Sequence, residues 1–331
     1  MLDKNFKIIA DMIQSAKSKT FAAVNRDIID LYWEIGKFIS SKVASEKWGK
    51  GVVVQLAKFI EESTLSEGGF SAQNLWRMRQ FYETYSSNEK LSPLVRELTW
   101  TNNLIILSRC KTDKEREFYL NLARNERYSK RELDRQINTG IYERTQIGNQ
   151  KLSESVKKLP QNVYNKFRDS YVLEFLNLPD EHKEKDLQKE LLKQLKKFIL
   201  ELGKDYILVG DNYRIQVGNT DFYIDILFYH RELQCLIAIE LKIDKFKPEF
   251  LGQLNFYLEA LDRDVKKHHE NPSVGILLCK DKDDEVVEYA LSRNISPTVV
   301  AEYQMKLIDK KLLKEKFHQL FIDSENEKVE K

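Results

Sequence analysis

The sequence is poor in cysteine. Among its 331 residues it has Cys110, Cys235 and Cys279 and no Cys-x-x-Cys pair. So small a number rules out a disulfide framework, and the missing pair argues against a structural zinc site. All three thiols lie in or beside apolar runs, so we expect them to be buried and inert in a reducing compartment.

Long apolar runs are missing as well. No stretch approaches the roughly 20 apolar residues that a membrane-spanning helix needs. The first residues, MLDKNFKIIADMIQ, lack the apolar core and the small-residue cleavage site of a signal peptide. We therefore expect a soluble, cytoplasmic protein that has no membrane partner.

An excess of charge of either sign is also absent. Lys and Arg number 54 against 52 Asp and Glu, which leaves a net charge of +2. This balance rules out a histone-like polycation. Residues 1–150 hold 24 basic and 19 acidic side chains, and the remainder holds 30 and 33. So small an asymmetry is compatible with a nucleic-acid partner but does not indicate one.

The first 140 residues are predicted to form a helical domain. Ile28, Leu31 and Ile39 recur at helical spacing before a stop at Gly49. Short helices joined by tight turns suit a compact, all-α module, of which a winged-helix-like domain is one version. We expect this domain to bind DNA or a partner protein, although the fold class alone does not decide between them.

The rest of the chain has a different pattern. Residues 141–180 are polar and contain turn-forming residues, so we interpret them as a connector. Between residues 181 and 322, strand-like apolar runs alternate with helical segments. We predict a helix at residues 185–202 and separate strands at 206–209 and 213–217. Such alternation is typical of an α/β domain with a mixed sheet flanked by helices. Residues 323–331 are expected to form a frayed tail.

Two of the strand-like runs contain carboxylates that an apolar sheet core does not tolerate alone. Asp225 lies in the run 222–229, and Glu240 interrupts the run 236–241 just before Lys242. Because side chains alternate along a strand, Glu240 and Lys242 share one face. Burying an unpaired carboxylate is costly, so both acids need a partner.

A divalent cation is one candidate partner for the two acids. Mg²⁺ binds few protein carboxylates and keeps several waters, and Mn²⁺ is a possible substitute. A lysine beside such an ion can position or activate the attacking water and stabilise charge on a phosphoryl oxygen, which favours phosphodiester hydrolysis. The ordinary alternative is that Lys242 and Lys245 neutralise the carboxylates in a partly exposed sheet. The apolar strand around Asp225 favours the metal site.

At this point the residues resemble a family. The series Asp225…Glu240-Leu241-Lys242 is similar to the Asp…Glu-x-Lys core of the PD-(D/E)XK nuclease superfamily, and Gln253 with Tyr257 resembles the Gln-x-x-x-Tyr motif of some of its branches. More narrowly, segments along nearly the whole chain resemble the YhcG-like nucleases, a bacterial family: GFSAQNLWRMRQFY, FRDSYVLEFLNL, DFYIDILFYH, LIAIELKIDKFKPEFLGQLNFYL, SVGILLCK and VAEY.

The resemblance implies a restriction-endonuclease-like α/β nuclease domain at residues 181–322, preceded by the helical domain. It also implies a Mg²⁺-dependent enzyme that hydrolyses DNA. Asp225 and Glu240 match the metal-binding acids and Lys242 matches the catalytic lysine, while Gln253 and Tyr257 would support the site from one face of a helix. Because many such nucleases pair to cut two strands, we expect a homodimer.

One position departs from the family pattern. The family often has a further acid on the first helix of the nuclease domain, and the aligned residue here is Gln188, which we keep as a candidate metal ligand. Glu190 falls on a solvated face, and Glu184 lies one turn before Gln188 on the same side. The missing acid leaves two alternatives open: a non-catalytic DNA- or protein-binding module that retains a weakened nuclease fold, and an RNA-directed nuclease.

Overall fold

The computed structural model describes residues 2–46, 48–63, 69–147, 152–157, 166–179, 181–307, 312–313 and 315. The chain folds into two compact units, Met1–Ile137 and Asn138–Lys331. We call them the N-terminal unit and the C-terminal unit. The frayed tail expected at residues 323–331 lies outside the described residues.

The N-terminal unit is built from helices. They are α1 Leu2–Glu46, α2 Lys50–Ser63, α3 Ala72–Tyr85, α4 Leu91–Leu94 with a 3-10 turn at Val95–Glu97, α5 Trp100–Arg109, α6 Asp113–Glu126 and α7 Lys130–Asn138. The described residues of this unit include no strand. A compact helical module therefore fits this unit, and the wing of a winged-helix domain is not seen among those residues.

Helices α1 and α3 pack closely in the N-terminal unit. A Cβ atom at Gly36 would lie 2.2 Å from the carbonyl oxygen of Met78, so only glycine permits this approach. The rings of Trp33, Phe81 and Trp100 meet edge to face beside this contact. Ser71 caps α3, because its side chain accepts the N–H of Asn74.

The C-terminal unit contains a mixed sheet in the order β1-β6-β5-β4-β3-β2. Its elements are α8 Ile141–Ile147, α9 Glu154–Lys157, β1 Ser170–Val172, α10 Glu184–Lys193, α11 Leu195–Leu202, β2 Tyr206–Val217, β3 Thr220–His230, β4 Cys235–Lys245, α12 Phe250–Ala260, β5 Val274–Asp281, α13 Asp284–Leu291 and β6 Thr298–Gln304. Strands β2, β3 and β4 are antiparallel neighbours, and the pairs β4–β5, β5–β6 and β6–β1 are parallel.

Each face of the sheet is covered by helices, which gives two apolar layers. Leu187, Leu191 and Phe198 of α10 and α11 pack on one face, and Leu254 and Leu258 of α12 pack on the other. All five side chains are buried. Buried helix stripes on both faces of an apolar sheet produce the α/β architecture expected from the alternation of strands and helices.

Three details differ from the sequence pattern. The helix predicted at residues 185–202 is broken at Gln194, where α10 ends and α11 begins. Strands predicted at 206–209 and 213–217 are one strand, β2, with an irregular register between Leu208 and Gly210. Part of the segment interpreted as a connector, Ser170–Val172, is the sheet-edge strand β1. The domain boundaries themselves stay a prediction.

Candidate active site

The candidate site lies where β3 and β4 separate. Their paired register ends at Ile226 opposite Ile239, and the next residue along each strand is an acid, Asp225 and Glu240. Ile224 packs in the α12 layer, whereas Ile226 packs in the α10 layer, so the residues on either side of Asp225 belong to different apolar layers. We call this separation of the two strands the fork.

Asp225 binds the backbone at the fork. Its Oδ2 accepts a hydrogen bond from the N–H of Leu241 at 2.8 Å. Leu241 lies on β4 two residues beyond Ile239, the last residue that pairs with β3. Burial raises the pKa of Asp225, while the Leu241 N–H and the charge of Lys242 oppose that rise. The bond to Leu241 therefore ties the Asp225 side chain to the strand that carries the second acid.

Glu240 is the more deeply buried acid, with 2% of its surface exposed. Its Oε1 accepts a hydrogen bond from Lys242 Nζ at 3.0 Å, whereas Oε2 is buried and has no hydrogen-bond partner among the described residues. Burial, followed by the nearby charge of Asp225, raises the pKa of Glu240 to about 7. The two acids repel each other, and Lys242 pairs with only one oxygen of Glu240, so the other oxygen is left without a positively charged partner among the described residues.

Lys242 lies between acids from two elements. Its Nζ is 3.0 Å from Glu240 Oε1 and 3.5 Å from Glu184 Oε2, and it lies 5.6 Å from the ring centroid of Phe250. Burial disfavours the ammonium form, but Glu240, Glu184 and Asp225 outweigh it and raise the pKa of Lys242. The side chain therefore keeps its proton at neutral pH and acts as a hydrogen-bond donor.

Gln188 contacts the backbone of Asp225. Its Nε2 donates to the Asp225 carbonyl oxygen at 2.6 Å, and the side chain is buried. Glu190, on the same helix, forms an ion pair with Lys193 at 3.0 Å, and its side chain is 15% exposed rather than solvated as expected. The amide at this position therefore provides a donor that a carboxylate could not provide.

Gln253 and Tyr257 contact each other on α12. The Gln253 Nε2 donates to the Tyr257 hydroxyl at 2.7 Å, and Tyr257 is buried while Gln253 is exposed. Burial raises the pKa of Tyr257, Gln253 opposes that rise, and the charges of Glu240 and Asp225 add to it. The Tyr257 hydroxyl is therefore within electrostatic reach of the two acids.

Two further side chains lie at the fork without a clear signal in the sequence. For Glu184 the only signal is its spacing of four residues from Gln188, which puts both on the same side of a helix. Phe250 carries no signal, because its contact with Lys242 depends on how the chain turns after β4. The described residues contain no group of three or more His, Cys, Asp or Glu suited to a metal ion.

A mixed sheet whose antiparallel strands separate at two acids and a lysine is the arrangement of a PD-(D/E)XK nuclease. The family model of the YhcG PDDEXK nuclease domain matches residues 164–318, and that of the DUF1016 N-terminal domain matches residues 8–144. The Escherichia coli (strain K12) protein described as "Putative nuclease YhcG" is 31% identical over 341 residues, 92% of this chain and 90% of that protein. The chain belongs to the YhcG nuclease family, as its motifs predicted.

Among solved structures, one likeness is to the crystal structure of a repair endonuclease from Pyrococcus abyssi. It covers 39% of this chain and 49% of that chain, with 13% identity and a TM-score of 0.26. So low a score carries no argument about function. The described residues also include no helix with the length and apolarity needed to cross a membrane.

Proposed function

We propose that this nuclease is a Mg²⁺-dependent enzyme that hydrolyses phosphodiester bonds in DNA at the fork of β3 and β4. The observation that carries the proposal is the unpaired, buried Oε2 of Glu240 beside Asp225 and Lys242. A buried carboxylate oxygen without a donor costs free energy unless a cation binds it. Membership of a nuclease family supports a nucleic acid as the substrate, and DNA is the part of the proposal that the assay below tests.

The residues of the fork fit a Mg²⁺ ion. Asp225 and Glu240 would hold it, and because Mg²⁺ keeps several waters, two protein carboxylates are enough. When bound, the ion would supply positive charge to a phosphoryl oxygen and lower the pKa of a water. Mn²⁺ has the same preference for oxygen ligands and is the expected substitute. A bound ion would thus be the partner that Glu240 Oε2 lacks among the described residues.

Lys242 would act as an ammonium group. Its Nζ is held near Glu240 and Glu184, so it can donate to the attacking water or to a non-bridging oxygen of the phosphate. In the reaction, the water oxygen bonds to phosphorus as the bond to one ester oxygen breaks. That oxygen leaves with the electron pair and takes a proton, and the attacking water loses one.

Gln188, Gln253 and Tyr257 would support this group. Gln188 holds the Asp225 carbonyl and so fixes the backbone that carries the first acid. This contact occupies the amide nitrogen, so any metal contact of Gln188 would use Oε1. Gln253 and Tyr257 form a hydrogen-bonded pair that can orient Lys242 or accept a contact from the substrate phosphate. These supporting roles are part of the proposal.

Cleavage assays on the purified full chain test the proposal. We expect cleavage of linear, circular, single-stranded or branched DNA in Mg²⁺ or Mn²⁺ and its loss in EDTA, with RNA of the same sequence as the competing substrate. Lys242→Ala should abolish it, whereas Lys193→Ala, which removes an exposed lysine on α10, should not. Equal cleavage by Lys242→Ala would rule out the assignment, and metal-independent binding without turnover would favour the non-catalytic alternative.

Three further expectations belong to the same proposal. A homodimer would place two such sites in one particle, and light scattering of the purified chain measures its mass. A cytoplasmic location is part of the same proposal, and fractionation of cells that express the tagged protein tests it. Preference for DNA over RNA is read from the relative cleavage rates in the assay described above.

A further inference from the structure

The hairpin of β2 and β3 extends beyond the sheet at the candidate site. β3 pairs with β2 from Thr220 to His230, but it pairs with β4 only from Ile226 to His230. Residues 213–224 therefore form a two-stranded projection, which we call the arm. The arm begins one residue before Asp225, so its position is set by the same fork that holds the acids.

The arm has two different faces. Tyr213, Ile215, Phe222 and Ile224 belong to the apolar layer of α12, and the ring centroids of Phe222 and Phe256 are 4.7 Å apart. This inner face fixes the arm on α12. A two-stranded ribbon alone is marginally stable in water, so the arm depends on this anchor.

The outer face of the arm is exposed and polar. Tyr223 is 52% exposed and lies opposite Arg214 in the register. Arg214 Nη2 donates to Asp221 Oδ1 at 2.8 Å and to Gln216 Oε1 at 3.2 Å. The positive charge of Arg214 is therefore matched by a carboxylate beside it. The outer face is a nearly neutral surface that carries one exposed aromatic ring.

Such a surface suits a nucleobase better than a phosphate. An aromatic ring with a neighbouring guanidinium group is a typical stacking platform for bases, whereas phosphates favour unpaired cationic side chains. Tyr223 and Asp225 are two positions apart on β3, with Ile224 between them, which is a backbone distance of about 7 Å. A base stacked on Tyr223 would thus belong to a nucleotide next to the phosphate bound at the fork.

We propose that the outer face of the arm binds an unpaired nucleobase of the substrate strand, by stacking on Tyr223 beside Arg214. The location of this base relative to the cut rests on the proposed function. A base inside a duplex has no free face for the ring, so this site selects single-stranded segments, whether of a single strand or of a frayed or branched end.

Equilibrium binding of the full chain in EDTA tests the arm without cleavage. The probes are a fluorescein-labelled single-stranded DNA of mixed sequence, the RNA of that sequence, and the DNA duplex, read by fluorescence anisotropy. Tyr223→Ala should bind the single strands about tenfold more weakly, which corresponds to the loss of one stacked base. Tyr223→Phe keeps the ring and should bind like the wild type, and duplex affinity should be unchanged.

Tyr289→Ala is the matched control, because it removes a tyrosine on α13 that is 76% exposed and lies outside the arm. Tyr223→Leu keeps an apolar side chain without an aromatic ring and replaces the alanine variant if that variant unfolds. Wild-type affinity in Tyr223→Ala or Tyr223→Leu, or equal losses for single strands and duplex, would overturn the inference. A failure of the nuclease assignment looks different. In that case the wild-type protein shows no metal-dependent cleavage, although its binding of single strands still depends on Tyr223.

Discussion

The C-terminal unit contains two lysines set among acids, and they differ in one respect. At the fork, Lys242 lies between Glu240 and Glu184, and Glu240 keeps a buried oxygen without a partner among the described residues. At the ends of β5 and β6, Lys282 Nζ lies 2.6 Å from both Asp169 and Asp284. Glu302 beside them accepts a hydrogen bond from Gln304. We call this second group the strand-end cluster.

The comparison separates a structural ion pair from a candidate catalytic centre. Asp169, Asp284 and Glu302 contribute no buried oxygen that lacks a partner in the described part of the chain. At the strand ends, ion pairs and hydrogen bonds within the fold account for Lys282 and the acids around it. At the fork, Lys242 leaves one oxygen of Glu240 without a partner among the described residues. This unpaired oxygen of Glu240 lies beside a second acid, Asp225, and the combination favours a bound cation there.

The largest expected effect separates activity from stability at the fork. Glu240→Gln should reduce cleavage by about 10²–10³-fold, the loss typical of one group that stabilises charge in the transition state. The free energy of unfolding in EDTA should be unchanged or higher, because a buried carboxylate with an unpaired oxygen is removed. Metal-dependent cleavage rates and urea unfolding measure the two quantities.

Glu285→Gln, an exposed acid on α13, is the control for that variant and should change neither quantity. A Glu240→Gln protein that is strongly destabilised yet still cleaves DNA would remove the distinction between the two clusters.

The strand-end cluster should show the opposite behaviour. Lys282→Met removes the ammonium group that lies 2.6 Å from both Asp169 and Asp284, and should lower the free energy of unfolding by about 3 kcal/mol. Cleavage per folded molecule should stay at the wild-type level. Lys280→Met, near the end of β5, is the control, since Lys280 is exposed. Loss of cleavage by a stable Lys282→Met protein would assign the strand-end cluster a part in the reaction.

The sequence could identify the acids of the fork but not their surroundings. Asp225 and Glu240 stand out because each interrupts an apolar strand, and that contrast is visible without coordinates. Which backbone groups they bind depends on where β3 and β4 separate, and this follows from twist and layer packing rather than from composition. The contact of Glu184 with Lys242 likewise depends on how α10 packs against the sheet, which the sequence pattern does not reveal.

The strand-end cluster and β1 show a second limit. Asp169 and Lys282 are distant in sequence, so no local pattern links them. β1 is the edge strand beside β6 and has three residues. A run of three residues is too short for the alternation of a strand to be recognised in the sequence. Strands β3 to β6 are recognisable because their apolar runs are longer.

A smaller effect is expected where a neutral amide, rather than an ion pair, supports an acid. Gln188→Ala removes the hydrogen bond to the Asp225 carbonyl and should reduce cleavage about tenfold, the equivalent of one such bond. The Mg²⁺ concentration for half-maximal thermal stabilisation of the protein should rise as well, which is a readout independent of turnover.

Lys189→Ala, at an exposed neighbouring position on α10, is the control and should alter neither measurement. Gln188→Glu should not rescue activity, because a carboxylate would face a carbonyl oxygen at this distance. Higher activity and tighter Mg²⁺ binding in Gln188→Glu would instead show that position 188 serves as a metal ligand.

The smallest expected effect is a pH dependence within the strand-end cluster. Burial raises the pKa of Glu302, and although Gln304 and Lys282 oppose the rise, Asp169 and Asp281 add to it. The folded state thus favours the protonated acid, so its contribution is full below the pKa of the unfolded chain and is lost as pH rises through the folded pKa. Glu302→Gln should be slightly more stable than the wild type at pH 8, and the advantage should shrink towards pH values of about 4. Urea unfolding across this range measures the difference, and a gap that widens on acidification would mean that the Glu302 carboxylate is stabilised by its neighbours.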